Sequence, residues 1–197
     1  MSEPIAPRPR TKPAAVRREE LLDAAQRLFL ARGVAATSVD DIVAAADVAK
    51  GTFYLYFPSK EALIGGLRDR YVAGFRATLR DAVALRRAGD WRGKLRAWVE
   101  GATNDYLDRL ALHDVIFHEA HAGNRHGGNV VVDDLAALLR EGARAGAWSA
   151  EDPQLTALLL YHAMHGAVDE AVGERPPVDR KRLVAALLRF FRRALAA

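Results

Sequence analysis

The stretch Thr37–Lys60, TSVDDIVAAADVAKGTFYLYFPSK, constrains this chain more than any other, because it reads as two short helices joined by a tight turn. Ser38 is a residue type that caps helix starts, and Asp41 follows three positions later. That is the capping-box spacing, in which side chain and backbone satisfy each other's orphan amides. Val39, Ile42, Val43 and Ala46 then recur at helical period and give one face to bury. The face breaks at Asp47, a residue type that tolerates left-handed backbone. Val48 is an apolar plug for the angle that follows. Lys50 to Phe57 predicts a second short helix, crowded with Phe53, Tyr54, Tyr56 and Phe57. Helix, short turn, helix is the outline of a helix-turn-helix.

In such a pair the second helix enters the major groove, where base edges present a distinguishable pattern. Gly51 near its start lets backbone come close, and Thr52 can donate, accept or touch a thymine methyl. The hydroxyls of Tyr54 and Tyr56 reach phosphates, and Lys50 and Lys60 place positive charge on either side. Phe53 and Phe57 read as core. Leu55 falls on the exposed side, for an apolar base contact or none. The purely structural reading is that Thr37 and Ser38 only cap, the tyrosines only pack and the lysines are only solvated. It leaves Gly51, set between Lys50 and Thr52, without a purpose.

The run AKGTFYLYFPSKEAL, preceded by TSVDDIVAAADV, resembles the DNA-binding signature of the TetR-type transcriptional regulators over Val16 to Leu63. Two positions depart from the family pattern. Asp47 stands where glycine is frequent, and Ala49 stands where serine is frequent, which removes an N-cap worth about 1 kcal/mol. The resemblance implies phosphate contact by Thr37, Ser38, Tyr54, Tyr56 and Lys60, and base-edge contact around Lys50, Gly51 and Thr52. It further implies a homodimer with a small-molecule cavity among the C-terminal helices. The candidates for lining that cavity are Trp98, Tyr106, Phe117, His121, His162 and His165; an ordinary packed core accounts for the aromatics equally well.

Helical period continues along the chain and no segment alternates at strand period, so the fold class is all-α. An N-terminal three-helix helix-turn-helix domain is followed by a helical ligand-binding and dimerisation domain. The expected division is a disordered arm over 1–14, the DNA-binding domain over 15–58, and the second domain over 59–197. The arm holds four prolines, two arginines and a lysine with no apolar period; it suits a solvated tail or a reach into a minor groove. Helices are expected over Ala15–Arg32, from Ser59 to about Arg87, Trp91–Leu112, Val130–Ala145, Pro153 to about Val172, and Asp179–Ala196. Between them His121–Asn129 reads as a mobile glycine-rich loop, and Pro176-Pro177 separates the last two helices.

Two further clusters invite a functional reading. Leu183, Val184, Leu187, Leu188, Phe191 and Leu195 form one apolar stripe; Leu155, Leu158, Leu159, Ala163 and Gly166 form another. Two copies of such a helix pair make a four-helix dimer interface, with Leu155, Leu159, Gly166, Leu183, Leu187, Leu188 and Phe191 as its candidates. Burial within one chain is the competing reading. The second cluster is histidine: His118 and His121 are three apart, as are His162 and His165, so each pair shares a helix face. Such spacing suits zinc or nickel, but no H-E-x-x-H run is present. The reading is therefore no metal site, with His118, His121, His162 and His165 as the alternative set.

No cofactor is implied. Cysteine is absent from the 197 residues, no apolar run is long enough to span a membrane, and the N-terminus lacks a secretory signal. The expected location is the cytoplasm. A net charge of +4 fits a polyanionic partner without requiring one. The expectation is a sequence-specific DNA-binding regulator, a repressor on palindromic duplex whose affinity a small-molecule effector adjusts, and not an enzyme. Its rivals are a metal-dependent hydrolase using the histidines, and an architectural DNA-binding protein without a ligand.

Overall fold

The computed structural model describes residues 13–119, 129–173 and 179–196, and every regular element among them is helical. The elements are α1 (Ala14–Arg32), α2 (Val39–Ala45), α3 (Lys50–Tyr56), α4 (Lys60–Ala84), α5 (Trp91–Asp108), α6 (Leu110–His113), a π-helical segment (Asp114–Glu119), α7 (Val130–Arg144), α8 (Pro153–Gly173) and α9 (Arg180–Ala194). The arm over 1–12, the loop over 121–128 and the Pro176-Pro177 break lie outside the described residues. None of the described helices is long and apolar enough to cross a membrane.

The described residues divide into two compact units, 13–68 with 114–119, and 69–113 with 129–173 and 179–196. In the first unit α1 buries Leu21, Leu22, Ala24, Ala25 and Phe29, at helical spacing. Ile42 and Val43 of α2, Phe53 and Phe57 around α3, and Leu63, Ile64 and Leu67 at the start of α4 are buried in the same unit. Each fully buried side chain of this kind contributes about 1.5–3 kcal/mol. The chain turns at Gly33, with φ 82°, and at Asp47, with φ 53°. Asp47 thus takes the left-handed conformation for which asparagine and aspartate are the tolerated non-glycine types. The π-helical segment belongs to this unit, where Ile116 accepts a hydrogen bond at its carbonyl from Arg68 Nε, 2.6 Å away.

In the second unit a core centred on Phe75, Leu79, Trp98, Tyr106, Leu135, Leu139, Leu160, Met164 and Phe191 draws on α4, α5, α7, α8 and α9. Its helices begin at side-chain caps. Asp90 accepts from Gly93 N, Asn129 from Val131 N and Val132 N, Asp152 from Gln154 N and Leu155 N, and Asp179 from Lys181 N. Gly142 on α7 admits the Trp148 ring, which a Cβ there would strike; the indole N–H donates to the Leu139 carbonyl at 2.8 Å. The segment expected as one helix over Trp91–Leu112 breaks at Arg109, whose N–H is shared between the carbonyls of Asp105 and Tyr106. Apolar residues continue past the break at helical period, so the sequence pattern passes over it. Arg180, one of three cations at the start of α9, is paired with Asp108 at 2.6 Å.

Candidate nucleic-acid interface and effector site

The start of α2 is fixed by the Ser38–Asp41 capping box. Asp41 N donates to Ser38 Oγ at 3.1 Å, and Ser38 N donates to Asp41 Oδ2 at 2.8 Å. The Ser38 hydroxyl, then its amide, then Arg32 at 2.8 Å hold the Asp41 carboxyl down at about 2. This charge at a helix N-terminus suits the dipole. Thr37 is buried, and its hydroxyl donates to the Gly33 carbonyl at 2.8 Å. Lys60 is half-buried and donates to the carbonyls of Val34 and Thr37.

α3 has no side-chain cap at Ala49. It buries Phe53 and, just beyond its end, Phe57; Lys50, Gly51, Tyr54 and Leu55 stand exposed, with Thr52 and Tyr56 half-buried. Leu55 is 82% exposed. Lys50 Nζ lies 2.8 Å from Asp40 Oδ1, and this carboxylate raises its pKa. A Cβ built at Gly51 meets nothing within 4 Å, and its φ is not in the left-handed region. Of the nucleic-acid candidates, then, Thr37 turns its hydroxyl inward, Lys60 is committed to two backbone carbonyls, and Ser38, Lys50, Gly51 and Tyr54 face outward.

Tyr106 anchors a polar cluster in the second unit. Its hydroxyl donates to Asp169 Oδ1 at 2.5 Å, and His113 Nδ1 lies 3.2 Å from the same oxygen. With its one proton directed to Asp169, Tyr106 must accept from His113, which assigns the Nδ1–H tautomer to that ring. His165 packs its ring 4.6 Å from Tyr106 and 4.4 Å from Tyr161. Burial, followed by the neighbouring His113, pushes its pKa down to about 4, against the opposing pull of Asp169.

The effector candidates are therefore scattered. Tyr106 and His165 meet; His162 is exposed on α8; Phe117 belongs to the first unit; His121 lies outside the described residues. Trp98 lines a separate cavity of about 370 Å³, with Leu79, Val83, Ala84, Val131 and Leu138 from α4 and α7. Arg80, Arg86 and Lys94 also line it, and sequence reasoning missed all three. A faint signal exists in hindsight, since Arg80 follows Leu79, and Lys94 precedes Trp98 by one helical turn. The alternative metal set is scattered too: His118 lies in the first unit, 3.5 Å from Asp114, and His162 and His165 in the second.

Along α8, Leu155, Leu159 and Gly166 are exposed, and so are Leu158 and, on α9, Phe190. Leu187, Leu188 and Phe191 are instead buried in the second unit's own core, and Leu183 is half-buried against it. A side chain enclosed within its own chain has no surface to offer another, so of the seven interface candidates three are outward-facing.

Residues 21–67 match the family model described as bacterial regulatory proteins, tetR family. The HTH-type transcriptional repressor KstR2 of Rhodococcus jostii is 46% identical over 59 residues, covering 30% of this chain and 27% of that protein. The HTH-type transcriptional repressor NemR of Escherichia coli is 30% identical over 89 residues, 45% of this chain and 44% of its own. These matches span less than half the length of either relative. Among solved structures, a TetR-family transcriptional regulator from Pectobacterium atrosepticum aligns with a TM-score of 0.74 at 25% identity, covering 93% of this chain and 96% of that one. A SmeT–triclosan complex aligns with a TM-score of 0.69 at 22% identity, covering 92% of each.

Proposed function

We propose that this chain, which matches the tetR family model over residues 21–67, is a TetR-type, sequence-specific DNA-binding repressor, dimeric, whose operator affinity is set by a small molecule held in the second unit. The observation that carries the DNA-binding part is Gly51. A glycine inside a helix costs about 0.5–1 kcal/mol relative to alanine, and this one has neither a positive φ nor a neighbour that a Cβ would strike. Nothing among the described residues accounts for it. A surface that must come close to it does, and Lys50, Thr52, Tyr54 and Tyr56 around it are the cation and hydroxyls suited to a duplex.

Dimerisation through the outward Leu155, Leu158, Leu159, Gly166 and Phe190 would relate two copies of α3 by a twofold axis and match them to half-sites about 34–36 Å apart. The effector acts by binding one spacing of the recognition helices better than another, a coupling of typically about 1–3 kcal/mol. Support for a ligand comes from the cavity beside Trp98 and from the triclosan held by the similarly folded SmeT. The hydrolase alternative has no such support, as the relatives named above are repressors and the histidines it requires are divided between units.

Selection from a random-sequence duplex pool by the full chain tests the reading. An enriched inverted repeat is expected, with enrichment lost in Gly51→Arg. Uniform recovery of all duplexes, falling with salt but indifferent to sequence, would leave only an architectural role.

A further inference from the structure

The cavity in the second unit has a chemical signature beyond its size. Leu79, Val83, Ala84, Val131 and Leu138 give it apolar walls, and some 370 Å³ lies within the range of roughly 300–1,000 Å³ common to small-molecule sites. Four charged residues line it, Arg80, Arg86, Lys94 and Asp134, and the single acid among them, Asp134, is already engaged. Both its oxygens accept from Arg76, at 2.7 Å from Nε and 2.8 Å from Nη2. That leaves Arg80, Arg86 and Lys94 as the lining's uncompensated charge. None of the three has a carboxylate partner among the described residues; Lys94 rests on the face of Trp91, 4.2 Å away. Arg80 and Arg86 are exposed, while Lys94 is half-buried.

Apolar walls with three unanswered cations among the lining residues select a ligand of matching polarity. A neutral hydrocarbon would fill the walls and leave the cations to water; a cation would be repelled. We propose that this cavity takes an amphipathic carboxylate, its hydrocarbon body against Leu79, Val83, Val131 and Leu138 and its carboxylate among Arg80, Arg86 and Lys94. The assignment rests on the reading of the chain as effector-regulated, and names the class of the effector. Arginine offers the forked donor geometry that suits a carboxylate, and the charge-assisted bonds it forms are the stronger kind.

The test uses decanoate, decanol and decyltrimethylammonium, each below its aggregation threshold, titrated into the full chain by calorimetry and by tryptophan fluorescence, which Trp98 in the wall reports. Decanoate is expected to bind about tenfold or more tighter than decanol, the margin a set of partly solvated charge contacts supplies. Decyltrimethylammonium is expected not to bind. Arg80→Gln combined with Lys94→Gln should remove the preference for decanoate while leaving decanol binding in place; Arg86→Gln alone, at an exposed position, should lower it partially without cost to folding. Ala84→Trp should block decanoate and decanol alike. Equal affinity for decanoate and decanol, a preference untouched by the cation variants, or no decanoate binding at all overturns the proposal. Duplex affinity measured with and without decanoate separates this from the regulatory reading. Selective binding that leaves duplex affinity unmoved upholds the site and removes its regulatory role; a different compound shifting duplex affinity while decanoate fails to bind does the reverse.

Discussion

Lys60 Nζ lies 3.1 Å from the backbone carbonyl of Thr37 and the same distance from that of Val34. The ammonium at the start of α4 thereby satisfies two carbonyls in the turn between α1 and α2, and it has one donor left. A phosphate contact from Lys60 would use that remaining donor, so the residue joins the fold and the proposed interface. Lys60→Ala is expected to cost about 1–3 kcal/mol of stability, the scale of hydrogen bonds from a charged donor. It should also weaken duplex binding across all sequences, and the salt slope should fall by about 0.9 for the lost phosphate. Tyr54→Phe, at an exposed hydroxyl, should weaken binding in the same uniform way with no change in urea midpoint. Equal midpoints for Lys60→Ala and the parent would contradict the bridging role.

Gly51→Ala separates a partner's requirement from the fold's own. In the free chain the added methyl meets open space, and alanine is the better helix former. The variant is expected to be more stable by about 0.5–1 kcal/mol and to bind its selected duplex more weakly. Asp40→Asn bears on the same surface, because Lys50 must leave Asp40 to meet another anion; duplex affinity should rise severalfold. Gly51→Ala that stabilises the chain and leaves duplex binding intact would take the close approach away from α3.

Much of the first unit was legible in the sequence because its signals are local. The capping box, the left-handed turn at Asp47 and the buried Phe53 each follow from residues a few positions apart. The internal bonds of Thr37 and Lys60 were not legible for the opposite reason: the carbonyls they bond to belong to Gly33, Val34 and Thr37, and no spacing rule marks a carbonyl as an acceptor in need. The second unit was less legible still. Both faces of α8 carry leucine, and the single apolar stripe of α9 suits cover by its own chain or by a second copy, so periodicity could not say that Leu187 faces inward and Leu159 outward. Nor could it gather Arg80, Arg86 and Lys94, which come from two helices and the link between them.

His165 gives the second unit a pH dependence whose sign is fixed. Its pKa falls from the ordinary 6.5 to about 4 on folding, through burial and the nearby His113. Between those values the unfolded chain binds the proton and the folded chain does not, so stability is full above about pH 6.5 and declines as pH falls toward 4. The whole loss is about 3 kcal/mol, at about 1.4 kcal/mol per unit. His165→Phe keeps a ring against Tyr106 and Tyr161 and cannot titrate. Urea unfolding at pH 7, 6 and 5 should show the parent losing stability faster than the variant. Two parallel curves would mean that His165 ionises alike in both states.

The outward face of α8 makes the last comparison. Leu159 is 62% exposed and Leu155 51%, each without cover from its own chain, whereas Leu187 is 5% exposed within the core. A glutamate at 159 meets water in a single chain and an apolar partner surface in a dimer. Leu159→Glu is therefore expected to yield folded monomers by sedimentation, with helical content unchanged and duplex affinity reduced by about a hundredfold or more as the two half-sites lose their linkage. Leu187→Glu buries a charge in the monomer and should instead unfold the second unit, at a cost of several kcal/mol. The pair is diagnostic only together, since loss of dimer in Leu187→Glu alone would follow from either cause. A Leu159→Glu chain that remains dimeric would move the interface off this face.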